Sequence, residues 1–408
     1  MKVYKFESSD KGQITYRDKK RYLWLASMVY PLVAVSGIGL YMATGSEWSF
    51  LAPLVFIYGV STLFDAIFGV DENNPPEELV PQLEEDRYYR WLTYFTVPIH
   101  YAVLFALAIF VGTQSVSLLS VLALAITGGI YSGLGLVTAH ELGHKKSRLE
   151  RNLAKIVQAV PAYGHFCLEH NRGHHRDVAT PEDPATSRMG ESIYQFVRRE
   201  IPGAFKRGWK LENDRLERTG KNVWSFDNEI LQSYAITAVV QLALIASFGW
   251  IMVLFLAVHN FWAWWQLTSA NYIEHYGLLR KKEASGRYER CQPYHSWNAN
   301  HVFSNILLFH LERHSDHHAH PVRRYQCLRD FPDLPSLPTG YFGMFVAAYI
   351  PPLWYRIMDK RLMALPHVAG DLDNVNVQPG KLEALLARYP KQTEVSDTLF
   401  HQAEAVAA

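Results

Sequence analysis

Histidine spacing is the feature of this sequence that points most directly to chemistry. The stretch HELGHKK, residues 140–146, carries His140 and His144 four positions apart, with Glu141 between them. Two histidines at this spacing lie on one helix face and can bind one metal ion, and the motif matches the H-E-x-x-H signature of zinc proteases, whose glutamate acts as a base. Such a site also needs a third protein ligand and a water molecule. The motif therefore indicates a metal site and leaves its chemistry open.

Seven further histidines stand in groups with similar spacing. The groups are His170, His174 and His175 in EHNRGHH, His275 in NYIEHYGL, and His314, His317 and His318 in ERHSDHHAH. Spacings of three and four predict one helix face for His170 with His174, and another for the group that begins at His314. His175, directly after His174, requires a bend or a second metal. Nine candidate ligands exceed one site and indicate two metal ions.

The identity of the metal does not follow from these ligands, because imidazole suits zinc, copper, iron and nickel. Cys167, Cys291 and Cys327 are far apart and form no C-x-x-C pair, which argues against a cysteine metal site or an iron–sulfur cluster. The other histidines show no comparable clustering. We expect supporting or structural roles for His165, His259, His295, His301, His310 and His320. His100 lies within an apolar stretch and is expected to be buried in a helix. His367 and His401 belong to no cluster.

Long stretches without charge predict the elements that position these histidines. No Asp, Glu, Lys or Arg occurs in residues 22–45, 48–64, 91–139 or 230–273, and the two longest stretches are broken by GTQSVS and SFGW. A membrane-spanning helix needs roughly 20 apolar residues. The pattern therefore predicts an all-α integral membrane protein with six spans, at about 22–44, 48–70, 91–111, 118–139, 230–247 and 250–271. Buried helices of a soluble protein are the alternative.

Charge distribution predicts the orientation of these spans. They form three hairpins whose turns contain no Lys or Arg, so all 40 basic residues fall on one side, which the positive-inside rule identifies as the cytoplasm. The polar segments expected there are 1–21, the loop 71–90, 140–229, 274–370 and the tail 371–408. The spans occupy 22–139 and 230–273. No cleavable signal peptide is expected, and both termini are predicted to be cytoplasmic. The histidines would then form a cap on the cytoplasmic side. The net charge of +1 indicates no strongly charged partner.

Four motifs together resemble those of one enzyme family. HELGHK (140–145), EHNRGHH (169–175), NYIEHYGL (271–278) and LERHSDHHAHP (311–321) are similar to the histidine boxes of the bacterial integral-membrane alkane 1-monooxygenases. The boxes alone are shared with the wider superfamily of membrane di-iron hydroxylases and desaturases, whereas NYxEHYGL is typical of the alkane hydroxylases. The resemblance covers roughly residues 20–370, including FDAIFGVDENNPPEE and HRDVATPEDPATSRMGESI.

The resemblance implies a non-haem di-iron centre that inserts one oxygen atom of O2 into the terminal methyl group of an alkane. It implies that the iron ligands are His140, His144, His170, His174, His175, His275, His314, His317 and His318. It does not imply how they divide between the irons. It also implies that electrons come from a rubredoxin, which an NADH-dependent reductase reduces. The close alternative is a lipid desaturase or another hydroxylase of the superfamily, and the remote one is an intramembrane zinc protease.

Carboxylates near the boxes are candidates for orienting the ligand histidines, because metal-bound imidazoles usually donate their second N–H to such groups. These candidates are Glu141, Glu169, Asp177, Asp183, Glu274 and Asp316. An alkane dissolves in the bilayer, so an apolar channel between spans is expected to deliver it end-first, with Phe56, Ile57 and Trp265 as candidate lining residues. Docking of an acidic electron donor is predicted at the basic residues Lys145, Lys146, Arg172, Arg176, Lys281 and Lys282.

Overall fold

Six long apolar helices dominate the computed structural model, which describes residues 2–390. They span Leu25–Thr44, Glu47–Phe68, Arg87–Thr113, Leu118–Gly143, Glu229–Phe248 and Ile251–Glu274, and are called spans 1 to 6. Each is long and apolar enough to cross a membrane. The predicted all-α membrane fold is therefore confirmed, with boundaries that differ by a few residues. Spans 4 and 6 continue past the apolar residues, and this extension carries His140 and Glu274 towards the polar segments.

Spans 1 and 2 are not uniform α-helices. Span 1 contains a 3-10 turn at Tyr30–Leu32, where Pro31 cannot donate a backbone hydrogen bond. Span 2 begins with a 3-10 turn at Glu47–Leu51 and contains a π-helical turn at Phe56–Val60. A π turn inserts one residue into the helical repeat and so changes which side chains face the protein interior.

Span 4 lies at the centre of the bundle and is the most buried of the six. Its glycines allow a close approach to span 6. A Cβ atom added at Gly129 would lie 2.3 Å from the backbone oxygen of His259, and one at Gly133 would lie 2.7 Å from Cβ of Gln266. Both distances are shorter than van der Waals contact, so any larger residue would force the two helices apart.

The polar segments fold into a cap of shorter elements. Its helices are Val80–Glu85, Arg148–Gln158, Phe166–Glu169, His175–Asp177, Ile193–Arg218, Val302–Leu307, His314–Ala319, Tyr341–Ala348, Pro351–Met363 and Leu382–Arg388. The predicted polar lead forms an antiparallel hairpin of β1 (Lys2–Ser8) and β2 (Gly12–Asp18). This hairpin was not predicted, although Tyr4 and Tyr16 alternate with polar residues as in a half-buried strand. The tail after residue 390, with His401, lies outside the described residues.

Buried ion pairs connect the lead and the first polar loop to the third histidine box. Asp71 contacts both Lys20 and Arg313, with 2.8 Å between its carboxylate and the Arg313 guanidinium. All three side chains are buried. Removing one partner from such a network leaves a buried charge without compensation. The network therefore fixes the segment that contains His314.

Candidate metal centre

Five histidines converge at the end of span 4. This first group contains His140, His144, His170, His175 and His317, and one ring nitrogen of each lies within 4.8 Å of the others. Nε2 of His175 lies 3.1 Å from Nε2 of His170 and 3.1 Å from Nε2 of His317. Nε2 atoms of His140 and His144 are buried and have no hydrogen-bond partner among the described residues.

Four histidines form a second group beside the first. They are His174, His275, His314 and His318, with ligand nitrogens again within 4.8 Å of one another. Nε2 of His314 lies 3.1 Å from that of His275 and 3.0 Å from that of His318. The rings of His175 and His318 are 4.4 Å apart between centroids and join the two groups. The structure thus brings together all nine histidines that the sequence indicates, and it divides them five to four.

Helix geometry explains this division and corrects the predicted pairing within two of the boxes. His170–His174 forms a π turn, so the N–H of His175 bonds the carbonyl of His170, five residues back. This repeat aligns His170 with His175 and directs His174 to the second group, whereas an α-helix would align His170 with His174. In the third box, His314 and His318 share a helix face and His317 points to the first group. The predicted single face for these three residues is therefore wrong.

The geometry of both groups suits transition-metal ions. Nitrogen ligands about 2.1 Å from one ion lie about 3.0 to 3.4 Å apart at right-angled or tetrahedral bond angles, which agrees with the contacts above. No carboxylate or thiolate belongs to either group among the described residues. Neutral imidazole ligands leave each site more cationic than a carboxylate-rich site would be.

Burial keeps most of these imidazoles neutral, which is the form that binds metals. Burial, followed by the charge of neighbouring imidazoles, lowers the pKa of His144, His170, His175, His314, His317 and His318 well below the usual range. Burial also lowers the pKa of His275 to about 3. His174 is the exception. Burial lowers its pKa as well, but the charge and hydrogen bond of Asp183 outweigh that effect and raise the pKa above its ordinary value.

Of the predicted orienting carboxylates, Asp183 makes the expected contact. Its Oδ2 lies 2.9 Å from Nδ1 of His174 and accepts the hydroxyl hydrogen of Thr186 at 2.6 Å. Burial raises the pKa of Asp183, but His174 and Arg207 together hold it well below the usual range. The contact leaves Nε2 of His174 free for a metal. His275 is oriented by a group that sequence reasoning missed, the backbone carbonyl of His295, 3.0 Å from its Nδ1.

The remaining candidates lie near the boxes without holding the outer nitrogen of a ligand. Glu169 pairs with Arg207, Asp177 with Arg176, and Asp316 with Arg323. The link to Arg207 was not evident in the sequence, because Arg207 lies more than 30 residues from the second box. Glu274 differs from these, since its Oε2 lies 3.5 Å from Nε2 of His314, on the metal-facing side. Its Oε1 is buried and has no hydrogen-bond partner among the described residues.

The contacts of Glu141 allow an experimental test of the protease alternative. Its carboxylate pairs with buried Lys145 at 3.0 Å and accepts the Tyr325 N–H at 3.4 Å. We therefore expect Glu141→Gln, which can still hydrogen-bond Lys145, to keep most of the oxidative activity and all of the metal. A peptidase would lose its base and all activity. Activity and metal content of the purified variant check this expectation, and full metal occupancy with complete inactivity would contradict it.

An apolar cavity of about 610 Å³ runs from the middle of the bundle to the histidines. Ile57, Gly133 and Phe345 border its membrane end, and His140, His170 and His314 border its inner end. The predicted lining residue Ile57 is thus in place. Phe56 and Trp265 are not among the lining residues, because Phe56 packs against Tyr30 and Trp265 packs against Tyr349. Tyr341 and Phe342, from a helix outside the six spans, line the cavity and were not predicted.

Five of the six basic residues predicted to dock an electron donor are exposed. They are Lys146, Arg172, Arg176, Lys281 and Lys282. Lys145 is only 4% exposed, and its ammonium contacts Glu141 and donates to the carbonyls of Val322 and Arg323. Its assignment to a docking surface is wrong, because a buried and fully paired cation cannot attract an external partner.

Comparison with known proteins identifies the family that shares this sequence. Residues 115–356 match the family model described as Fatty acid desaturase. The chain is 56% identical over 393 residues to Alkane 1-monooxygenase 1 of Alcanivorax borkumensis, with 96% of each chain covered. It is 56% identical over 376 residues to Alkane 1-monooxygenase of Ectopseudomonas oleovorans, covering 92% of this chain and 93% of that one. Alkane 1-monooxygenase of Acinetobacter baylyi is 39% identical over 375 residues, with 91% of each chain covered.

Six candidate membrane helices, two histidine groups that could each hold a metal ion and the matched family model define the class, an integral-membrane enzyme of the di-iron hydroxylase and desaturase superfamily. Within that class, the chain belongs to the alkane 1-monooxygenase family. It is an oxidoreductase that hydroxylates alkanes, as the resemblance in the histidine boxes implies.

Proposed function

We propose that this enzyme converts medium-chain n-alkanes to 1-alkanols, using O2 and two iron ions held by the nine histidines. The observation that carries the proposal is the apolar cavity, whose inner end is bordered by His140 and His170 of the first group and by His314 of the second. A substrate filling this cavity would present one end to both metal sites. The curated relatives named as alkane 1-monooxygenases support the same substrate class.

The length of the cavity supports medium-chain substrates. Its lining on span 4 extends from Ile130 to His140, ten residues, which corresponds to about 15 Å along a helix. A zigzag chain of about 1.5 Å carbon–carbon bonds advances about 1.25 Å per carbon, so about twelve carbons fit. The walls hold an alkane by apolar contact alone, which cannot distinguish one methylene from the next. Position selectivity therefore comes from shape, because only the terminal methyl group reaches the histidines.

Iron bound in these groups would supply, with O2 and two electrons, the oxidising power that a terminal C–H bond requires. The side chains determine the orientation of the histidines and the position of the substrate carbon that is oxidised. Asp183 fixes the tautomer of His174, and the His295 carbonyl fixes that of His275. Neutral imidazoles bring no negative charge to the site. Glu274 is the carboxylate that borders both the cavity and His314, and it therefore lies at the reacting end of the substrate.

Product analysis tests this function. Membranes containing the protein are supplied with octane, NADH, rubredoxin and rubredoxin reductase, and the products are separated by gas chromatography. The expected product is 1-octanol. Secondary octanols would contradict end-first delivery, and unsaturated membrane lipids without octanol would indicate a desaturase. A matched preparation of His140→Ala controls for activity of the host membrane.

The location proposed is the inner membrane of a bacterium, with both termini and the histidine cap in the cytoplasm. The support is the distribution of charge, since the three short turns between paired spans carry no Lys or Arg. The three histidines of the second box, His170, His174 and His175, belong to the same polar segment as Lys146, Arg172 and Arg176. Donor and metal sites would thus face the compartment that holds NADH.

We further propose that rubredoxin docks on the five exposed basic residues beside the histidine boxes. Two contacts join them into one surface around the second box. Asn171, next to Arg172, donates to the carbonyl of Gly143 at 2.9 Å, which brings Arg172 near the segment of Lys146. Arg280, next to Lys281, donates to the carbonyl of Arg176 at 2.8 Å. An acidic protein would be attracted to this surface and guided to the metal groups behind it.

Salt dependence separates donor docking from a role of these residues in membrane topology alone. With rubredoxin limiting, we expect turnover to fall several-fold as salt rises from about 0.1 M to about 1 M, because the Debye length shrinks from about 10 Å to about 3 Å. Lys146→Glu, Lys281→Glu and Lys282→Glu together should have a similar effect at low salt. Lys5→Glu, an exposed reversal on the β-hairpin, is the control. Unchanged rubredoxin-dependent turnover in the triple variant would exclude electrostatic docking.

A further inference from the structure

A second internal cavity adjoins the metal centre and differs in character from the apolar one. It has room for about one water molecule, and its lining includes the metal-centre histidines His170 and His174. Tyr163, His165 and Glu200 also line it. The Tyr163 hydroxyl and Nε2 of His165 are buried and have no hydrogen-bond partner among the described residues. Leaving two buried polar atoms unpaired is costly, whereas a single ordered water molecule in this polar cavity would satisfy both.

The turn at residues 163–165 separates this inner cavity from an outer groove. The groove is lined by Gly164, against which Tyr234 packs, and reaches the exposed side chain of Arg172 at its rim. His165 lies at the partition, and its Nδ1 is 2.9 Å from the hydroxyl of Tyr234. One ring nitrogen therefore contacts a half-buried hydroxyl, while the other is unpaired and the ring lines the inner cavity. An imidazole with two differently placed nitrogens can accept a proton at one and release a proton from the other.

Glu200 adds a titratable group on the inner side of the partition. Its carboxylate accepts the Thr268 hydroxyl hydrogen at 2.7 Å and the Asn271 amide hydrogen at 3.1 Å, which fixes it against span 6. Burial raises the pKa of Glu200 to about 7, so the group exchanges protons near physiological pH. Glu200 has no arginine or lysine at ion-pair distance among the described residues. A buried carboxyl without a cationic partner is more costly as a structural element than a neutral residue would be.

Alkane hydroxylation needs protons, and a cavity filled by the substrate chain leaves no path of water to deliver them from solvent. The reaction is R–CH3 + O2 + 2 e⁻ + 2 H⁺ → R–CH2OH + H2O, in which one oxygen atom enters the C–H bond and the other leaves as water. The two electrons come from the donor protein, and the two protons must come from solvent. We propose that the inner cavity is the proton entry of the metal centre, with His165 relaying protons from Tyr234 and the outer groove, and Glu200 holding a proton inside. This proposal rests on the proposed function, because only O2 reduction consumes these protons.

Substitution of His165 tests the relay. His165→Phe keeps a planar ring against Phe205 but cannot carry a proton. We expect at least about a tenfold lower rate of 1-octanol formation, in line with lost proton transfer. We also expect more hydrogen peroxide per NADH consumed. When protons reach the metal centre too slowly, reduced oxygen leaves the site as peroxide before its O–O bond is broken. The metal content should stay unchanged. In His165→Gly, which leaves the space of the ring empty, added imidazole should restore part of the rate. His301→Phe, at a partly buried histidine that lines neither cavity, is the control.

Infrared spectroscopy gives a readout that needs no turnover. At about pH 6, below the pKa of about 7, the protonated Glu200 carboxyl gives a C=O band that Glu200→Gln removes. Transfer of the resting protein into D2O shifts this band as the proton exchanges. The relay predicts exchange at least about tenfold slower in His165→Phe than in the wild type. If His165→Phe does not fold, Tyr234→Phe and Tyr163→Phe, which each remove one oxygen atom, are measured instead and should slow exchange by smaller factors.

The outcomes separate this relay from the proposed function. Wild-type protein that forms no alkanol would overturn the hydroxylase assignment, whatever the exchange rate of Glu200. The relay alone would be overturned if the wild type forms 1-octanol and His165→Phe equals it in three respects. These are the rate of 1-octanol formation, the hydrogen peroxide formed per NADH and the exchange rate of the Glu200 carboxyl. A slower rate with unchanged exchange and no rescue by imidazole would show that His165 is structural, and would also overturn it.

Discussion

His314→Ala is expected to abolish alkane hydroxylation and to remove about one metal ion per chain. Nε2 of His314 lies within 3.1 Å of Nε2 of both His275 and His318. Its removal leaves the second group with three ligands and removes the one that contacts two of the others. Loss of an orienting partner alone typically costs 10- to 100-fold in metal affinity or activity, and we expect loss of a ligand to exceed about 100-fold. Product formation and metal content of the purified variant measure both effects.

The same substitution at a histidine outside both groups is the control. His367 packs against the ring of Tyr294 and borders neither metal group, so His367→Ala should keep both metal ions and the wild-type rate. The remaining eight candidate ligands should each resemble His314. His275 is the informative case, because it is the only histidine in its motif. Full activity in His275→Ala would leave eight ligands and would overturn its assignment.

Ile57→Trp is expected to shift the preferred substrate towards shorter alkanes. Ile57 is 1% exposed and borders the membrane end of the cavity, so an indole there shortens the space available to the chain. Several fewer carbons should fit, with activity on the longest substrates reduced about tenfold or more, since each lost methylene contact contributes about 0.8 kcal/mol. Product yields with alkanes from hexane to hexadecane measure the shift.

Val55→Trp is the matched control for this experiment. Val55 lies two residues earlier on span 2 and is 64% exposed, so it faces away from the cavity. An indole there should leave the substrate range unchanged. If Ile57→Trp also leaves the range unchanged from hexane to hexadecane, the apolar cavity does not hold the substrate and the basis of the proposed chain length is lost.

Periodicity and charge were sufficient to predict the membrane architecture and the histidines that meet. The uncharged stretches correspond to spans because each contains one or two segments of about 20 mostly apolar residues, the length that crosses a bilayer. The division of the histidines was not accessible, because it depends on a π turn at His170–His174 that no residue type in the segment specifies. Span 2 also contains a π turn that no residue type specifies, at Phe56–Val60, beside the cavity residue Ile57.

Burial of single side chains was the other feature that local patterns did not reveal. Lys145 belongs to a basic stretch and was read as exposed, yet it is enclosed by the segment around Val322, which lies far away in the sequence. A signal was present, since Glu141 and Lys145 have the i, i+4 spacing of a helical ion pair. Asp183 is a sequence candidate because it follows the second box closely, whereas Arg207 offers no such signal, because tertiary packing alone brings it to Glu169 and Asp183.

Metal analysis of the purified protein tests the two-metal centre most directly. Mass spectrometry of the intact detergent-solubilised chain, with elemental quantification, is expected to find two iron atoms per chain and no stoichiometric zinc. The five-to-four division of histidines further predicts that the two atoms occupy inequivalent sites of equal population, resolved by Mössbauer spectroscopy. One zinc ion per chain would contradict this account and would return the HELGH motif at residues 140–144 to a protease-type site.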